Sequence, residues 1–209
     1  MNARIKYPRT YHLPWSQGAT SDDKVLKNTS IFKDKEVVIT EKMDGENTTI
    51  YSDSFHARSI DSGKHSSRDW VSAFQSQIGF NIPNGWRVCG ENLFAKHSIE
   101  YTNLTSFFLG FSIWNDNICL SWDETIEYFN LIGIQSVPVL WRGIYSDKEV
   151  ISLCNDLDLN TKEGIVVRVV DSFLYEDFKN SVAKFVRKNH VSTNTHWTQN
   201  EIIQNKLAQ

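Results

Sequence analysis

The chain is poor in the residues that build stapled scaffolds and flexible linkers: 209 residues include three cysteines, four prolines and ten glycines. An odd number of cysteines (Cys89, Cys119, Cys154) with no CxxC pair argues against both a disulfide framework and a cysteine zinc site. They read as buried apolar fillers. The six histidines show no HExxH or comparable spacing, so a dedicated transition-metal site has no support. Long apolar runs are missing, and the opening residues, with Arg4, Lys6, Pro8 and Arg9, lack the core of a signal peptide. A cytoplasmic protein without membrane contact is expected. A surplus of one charge is missing too. With a net charge of -3, any nucleic-acid binding must rest on local basic clusters.

What is present is a large apolar share, 40% hydrophobic and 12% aromatic, enough to bury a real core. No linker, repeat or low-complexity tract divides the chain. One domain over 1–209 is expected, with 1–35 as a lead-in and 191–209 as a C-terminal tail. Residues 36–40 (EVVIT) and 47–51 (NTTIY) are β-branched runs around Asp44-Gly45, a strand–turn–strand pattern. Further strands are expected at 55–60, 86–93, 107–114, 117–120, 136–140, 164–170 and 182–186. Residues 67–78 predict a helix with Trp70, Ala73, Phe74, Gln77 and Ile78 on one face. Two more helices start at capping-box patterns, Ser121 with Glu124 and Ser146 with Glu149. Residues 195–207 predict a polar helix. Strands dominate without regular βαβ alternation, so the class is α+β, built on antiparallel sheets.

The most informative stretch is Glu41-Lys42-Met43-Asp44-Gly45-Glu46-Asn47. A lysine ending an apolar strand before an Asp-Gly turn projects an amine from a rigid edge beside a carboxylate. Compatible pieces follow in order: Arg58 after Phe55-His56-Ala57, Glu91 within Cys89-Gly90-Glu91-Asn92-Leu93, and Phe111 within Gly110-Phe111-Ser112-Ile113-Trp114. Lys162-Glu163 then leads into an apolar strand, and Lys184, Arg187 and Lys188 close the series.

This ordered set resembles the covalent nucleotidyltransferase superfamily of ligases and mRNA-capping enzymes, and within it the ATP-dependent RNA ligases of the phage RNA ligase 2 type. The stretch Gly90-Glu91-Asn92-Leu93-Phe94-Ala95-Lys96-His97-Ser98-Ile99 is similar to a segment of such ligases, and the likeness spans about residues 36–197. It implies a ligase/capping nucleotidyltransferase fold, a substrate of RNA ends or nicks, ATP as co-substrate, and Mg²⁺ (or Mn²⁺). It implies Lys42 as the adenylylated nucleophile, with Glu41 in the nucleotide-binding set. Arg58 would contact the AMP phosphate and the incoming end, Glu91 the ribose hydroxyls, and Lys184 the α-phosphate. Phe111 would stack on adenine, with Phe107 and Phe108 as rivals, and Asn47 would lie near substrate. Asp44 and Glu163 would serve the metal. Relatives end with Lys-x-Lys; here the second cation is Arg187 or Lys188. A DNA ligase, a capping guanylyltransferase and a non-catalytic nucleotide-binding module are the alternatives. Little chain follows His190, so a minimal catalytic domain, most simply a monomer, is expected.

The residue types suit the chemistry. A lysine attacks phosphorus only when neutral, and neutralising it at pH 7 costs about 4.6 kcal/mol from its reference pKa. Nearby cations lower that cost, whereas Glu41, Asp44 and Glu163 raise it unless a cation occupies them. Residues 179–190 hold Lys179, Lys184, Arg187 and Lys188 without an acid; residues 58–68 hold Arg58, Lys64 and Arg68 against Asp61 alone. Both segments are candidates for following a phosphate backbone.

Overall fold

A computed structural model describes residues 3–188 and 202–208. Its strands are β1 (Tyr11–His12), β2 (Glu36–Lys42), β3 (Glu46–Ile50), β4 (Phe55–Ala57), β5 (Trp86–Asn92) and β6 (Phe108–Asn115). They continue as β7 (Ile118–Cys119), β8 (Gln135–Ser136), β9 (Val139–Ile144), β10 (Gly164–Val169), β11 (Phe173–Leu174) and β12 (Val182–Val186). The α-helices are α1 (Asp69–Ile78), α2 (Trp122–Ile132) and α3 (Asp147–Asp156). Two mixed-length sheets form, in the orders β1-β12-β10-β2-β9 and β11-β7-β6-β5-β3-β4, with β8 beside β6. Pairing is antiparallel except at β1–β12 and β6–β8, so the expected α+β class is the one observed.

The Asp44-Gly45 turn does not close a hairpin. β2 pairs with β10 and β9, whereas β3 pairs with β4 and β5, so the chain passes from one sheet to the other at this turn. Val37, Val38 and Ile39 are each fully buried, as befits a strand covered on both faces and not one of a two-stranded ribbon. The return crossing splits the segment expected as one strand at 136–140. Val137 N–H donates to Gly110 O (2.9 Å) in one sheet, and Pro138 O accepts from Glu41 N–H (2.9 Å) in the other. Pro138 has no N–H to continue a ladder, so the strand breaks there. Lys42 therefore ends β2 where the two sheets part.

Gly45 is required at the crossing by close approach: a Cβ there would lie 2.5 Å from Asn92 O and 2.8 Å from Leu93 Cδ2. α2 forms its capping box, with Ser121 Oγ accepting from Glu124 N–H and Glu124 Oε2 from Ser121 N–H, and Gly133 closes it at φ 75°. The box expected at α3 does not form, because Ser146 makes no side-chain cap. Asp147 Oδ1 instead accepts from Thr29 Oγ1 and Tyr145 OH, both at 2.8 Å. α1 starts at Asp69, after a short 3₁₀ turn, and stacks Trp70 on Phe74. β4 ends at Ala57, three residues short of expectation, which leaves Arg58 just past the strand.

Both chain ends do more than the sequence suggested. β1 adds an edge to β12, and Leu13 and Phe32 are fully buried, so residues expected as a lead-in belong to the core. Of the expected tail helix, 202–207 is extended and bridges Ala95 and Leu104; the remainder lies outside the described residues. The three cysteines are free and buried. Among the described residues no helix is long and apolar enough to cross a membrane.

Candidate active site

The parting of the sheets leaves a cleft of about 520 Å³. Its walls include Glu41, Lys42, Asn47, Arg58, Glu91, Phe111 and Lys184, all singled out from sequence. They also include Tyr7, Pro8 and Thr10 from the N-terminal segment, and Trp122, Arg168 and Phe173. Arg168 had a legible signal, a single charge inside the apolar run 164–170. Tyr7 had none, since no pattern marks a short irregular segment as a cleft wall.

Lys42 stands opposite Gly164 in the β2–β10 ladder, which sets two adjacent ion pairs across it. Lys42 Nζ donates to Glu163 Oε2 at 2.7 Å, and Lys162 Nζ donates to Glu41 Oε2. Burial works to lower the Lys42 pKa. The Glu163 carboxylate, with Glu91 and Asp44 beyond it, overrides burial and holds the pKa above its ordinary value. The amine is thus held as an ammonium. Lys184 behaves oppositely: burial, then the Lys42 and Arg58 charges, pull it down to about 8 against Asp23 and Glu163. Two cations near Lys184 leave it short of negative charge, a condition an anion such as phosphate relieves.

Asn47 faces Glu91 in the β3–β5 ladder, and its buried Oδ1 has no hydrogen-bond partner among the described residues. Phe111 lines the cleft with its ring edge-to-face on Tyr7, centroids 5.3 Å apart, whereas Phe107 and Phe108 are buried in the core. Asp44 is not open to the cleft in the way the metal expectation requires. Its Oδ2 accepts from Ser98 N–H (2.7 Å), Ser98 Oγ (2.7 Å) and Ile99 N–H (2.8 Å). Arg187 donates to Leu159 O (2.7 Å) and Ser98 Oγ (3.4 Å), and neither it nor the exposed Lys188 lines the cleft. Arg68 grips Glu46 through both ends of its guanidinium, Nε to Oε2 at 2.7 Å and Nη2 to Oε1 at 2.5 Å. Arg68 thus lines the cleft with its charge shared with Glu46. Exposed Lys64 carries no such partner bond in the described contacts.

Burial pushes the Glu91 carboxyl up to about 8; Lys42 opposes this, and Glu163 and Asp44 add to it. An acid whose folded pKa is raised contributes its full stability below its ordinary 4.5 and loses it as pH rises through about 8. Glu91→Gln keeps the neutral shape and cannot ionise. Wild-type melting temperature is expected to fall relative to Glu91→Gln between about pH 5 and pH 8. Parallel melting profiles across that window would overturn this.

The family model described as RNA ligase matches residues 35–186. No curated protein matches the chain. Among solved structures, an archaeal ATP-dependent RNA ligase is similar with a TM-score of 0.60 at 15% identity, over 87% of this chain and 48% of that one. A Naegleria gruberi RNA ligase with PPi gives a TM-score of 0.57 at 17% identity, over 90% and 62%. A mutant of the Naegleria gruberi enzyme with ATP and Mn gives 0.54 at 16%, over 78% and 53%. The chain thus spans about half the length of the first of these ligases. At such identities the likeness establishes the fold, and the family match over most of the chain establishes membership: the chain belongs to the RNA ligase family.

Proposed function

We propose that this chain is the nucleotidyltransferase domain of an ATP-dependent RNA ligase, with residues 1–209 acting as one unit. The observation that carries the reading is the 2.7 Å contact from Glu163 to Lys42, which lines a cleft with Lys184, Arg58 and Phe111. In the first step the Lys42 amine attacks the α-phosphorus of ATP; the N–P bond forms, the bridging P–O bond breaks, and pyrophosphate leaves. Glu163 Oε2, already bonded to Nζ, is placed to take the ammonium proton. The charges of Lys184 and Arg58 stabilise the phosphoryl oxygens and disfavour a third cation at Lys42. AMP then passes to a 5′-phosphate end, and a 3′-hydroxyl displaces it. Phe111, half-buried in the cleft wall, supports adenine stacking, and Glu91 the ribose hydroxyls. Arg187, tied to Leu159 and Ser98, is a weaker candidate for the second phosphate-binding cation than its position in sequence implied.

The donor set suits a hard, oxygen-seeking cation. Among the described residues no group of three or more His, Cys, Asp or Glu gathers into a metal cage. Scattered carboxylates match Mg²⁺ or Mn²⁺, which keeps several waters and binds through one or two carboxylates together with substrate phosphates. Glu163 would hold it. Such a cation neutralises charge on the phosphate oxygens. Asp44 is not assigned to it, because three donors already occupy Oδ2.

Incubation with α-labelled ATP and a divalent cation tests the reading, with acid-labile label on the protein as the expected result. No label would overturn it, and label from GTP alone would move the chain to capping chemistry. Sealing of nicked RNA, with less on nicked DNA, is the expected substrate order.

A further inference from the structure

The turn after Lys42 is held from behind by a loop that is itself held by the chain's C-terminal segment. Asp44 N–H donates to Tyr101 OH at 2.9 Å, and its carboxylate is gripped by Ser98 and Ile99. Residues 93–104 run irregularly past this turn, with few ladder bonds of their own. Segment 202–208 supplies what is missing. Lys96 N–H donates to Ile203 O (2.7 Å), Lys206 N–H to Tyr101 O (2.8 Å), and Leu104 N–H to Lys206 O (3.0 Å).

Asn205 stands at the centre of this strap and is 1% exposed. Its Nδ2 donates to Leu93 O (2.8 Å), its N–H to Phe94 O (3.0 Å), and its Oδ1 accepts from Tyr101 N–H (2.9 Å). The side-chain amide thus satisfies two backbone groups, one at each end of the loop, through its donor and its acceptor, and the backbone N–H satisfies a third. The path from Asn205 through Tyr101 to the Asp44 amide ends two residues from the Lys42 side chain.

We infer that Asn205 and Tyr101 are positioning residues for the Lys42 nucleophile, and that segment 202–208 is part of the catalytic scaffold. The inference rests on the reading of Lys42 as the AMP carrier. Neither residue lines the cleft, so neither touches nucleotide; both set where the 43–45 turn lies and hence the line of the amine's attack. A misplacement of the nucleophile reduces the rate of chemistry while leaving contacts to ATP in place.

The test uses the full chain and begins with wild type, whose labelling by ATP establishes the carrier reading independently. Single-turnover formation of the lysyl-AMP bond is then compared with equilibrium ATP binding in Asn205→Ala, Tyr101→Phe and the double variant. Each single variant is expected to slow bond formation by about tenfold to a hundredfold, with ATP affinity changed by less than about threefold. The double variant should be no slower than the slower single one, since both act through one loop. A folded Asn205→Ala with wild-type rate would overturn the inference. So would rate and affinity falling together in proportion to the folded fraction. If Asn205→Ala does not fold, Tyr101→Phe, which removes one hydroxyl, decides: a wild-type rate in it overturns the inference.

Discussion

Lys42→Ala should take no label from α-labelled ATP, a loss of at least about a thousandfold relative to wild type, while still sealing RNA whose 5′ end already carries AMP. The two halves follow from one geometry. Lys42 lines the cleft with its amine on Glu163, whereas Lys162, paired with Glu41, does not line it and Lys184 stands on another strand, β12. Once AMP is on the RNA, the carrier has completed its part, and the remaining displacement needs phosphate contacts and a positioned 3′-hydroxyl. Lys42→Arg sharpens the test, because it keeps the charge opposite Glu163 without a free amine. It should preserve melting temperature and lose labelling. Labelling of Lys42→Ala at the wild-type level would remove the mechanism.

The second large effect is structural. Gly164 lies between Lys42 on β2 and Val186 on β12, and a Cβ there would sit 1.9 Å from Phe185 O and 2.9 Å from Phe185 C. Those atoms are backbone, so no rotamer change relieves the clash and β10 must move away from β12. Gly164→Ala should cost about 1–3 kcal/mol, or about 3–10 °C of melting temperature. It should also slow lysyl-AMP formation, because Glu163, directly ahead of β10, and Lys184, on β12, would be drawn apart. Gly63→Ala is the control, with nothing within 4 Å of a Cβ, and should melt within about 2 °C of wild type. Equal melting temperatures for Gly164→Ala and wild type would mean the two strands are not packed this closely.

Much of the fold was legible because it depends on local pattern. The β-branched runs gave β2, β3 and β10, and the Ser121–Glu124 box marked the start of α2, because a strand's period and a helix cap are set by near neighbours. The same locality explains the misses. Residues 36–51 read equally as a hairpin or as strands of two sheets, since alternation says which residues share a face and nothing about the strand beside them. Ser146 and Glu149 have the spacing of a cap, yet Ser146 makes no side-chain cap, and Thr29, distant in sequence, binds the adjoining Asp147 carboxylate. β1 and β11, two residues each, are too short to carry any pattern.

By itself the sequence determined the chemistry on offer: a lysine before Asp-Gly, acids and cations in a set order, an aromatic on the middle strand, and no spacing that supports a transition-metal site or a disulfide framework. Only the tertiary structure decided how these are used. It joined Lys42 to Glu163 across 121 residues of chain and matched Arg68 with Glu46. It set Phe111 in the cleft while burying Phe107 and Phe108, and turned the Asp44 carboxylate toward the Ser98 loop. The physical reason is that charge state, exposure and hydrogen-bond saturation are properties of neighbours in space, which long-range strand pairing supplies and residue spacing does not.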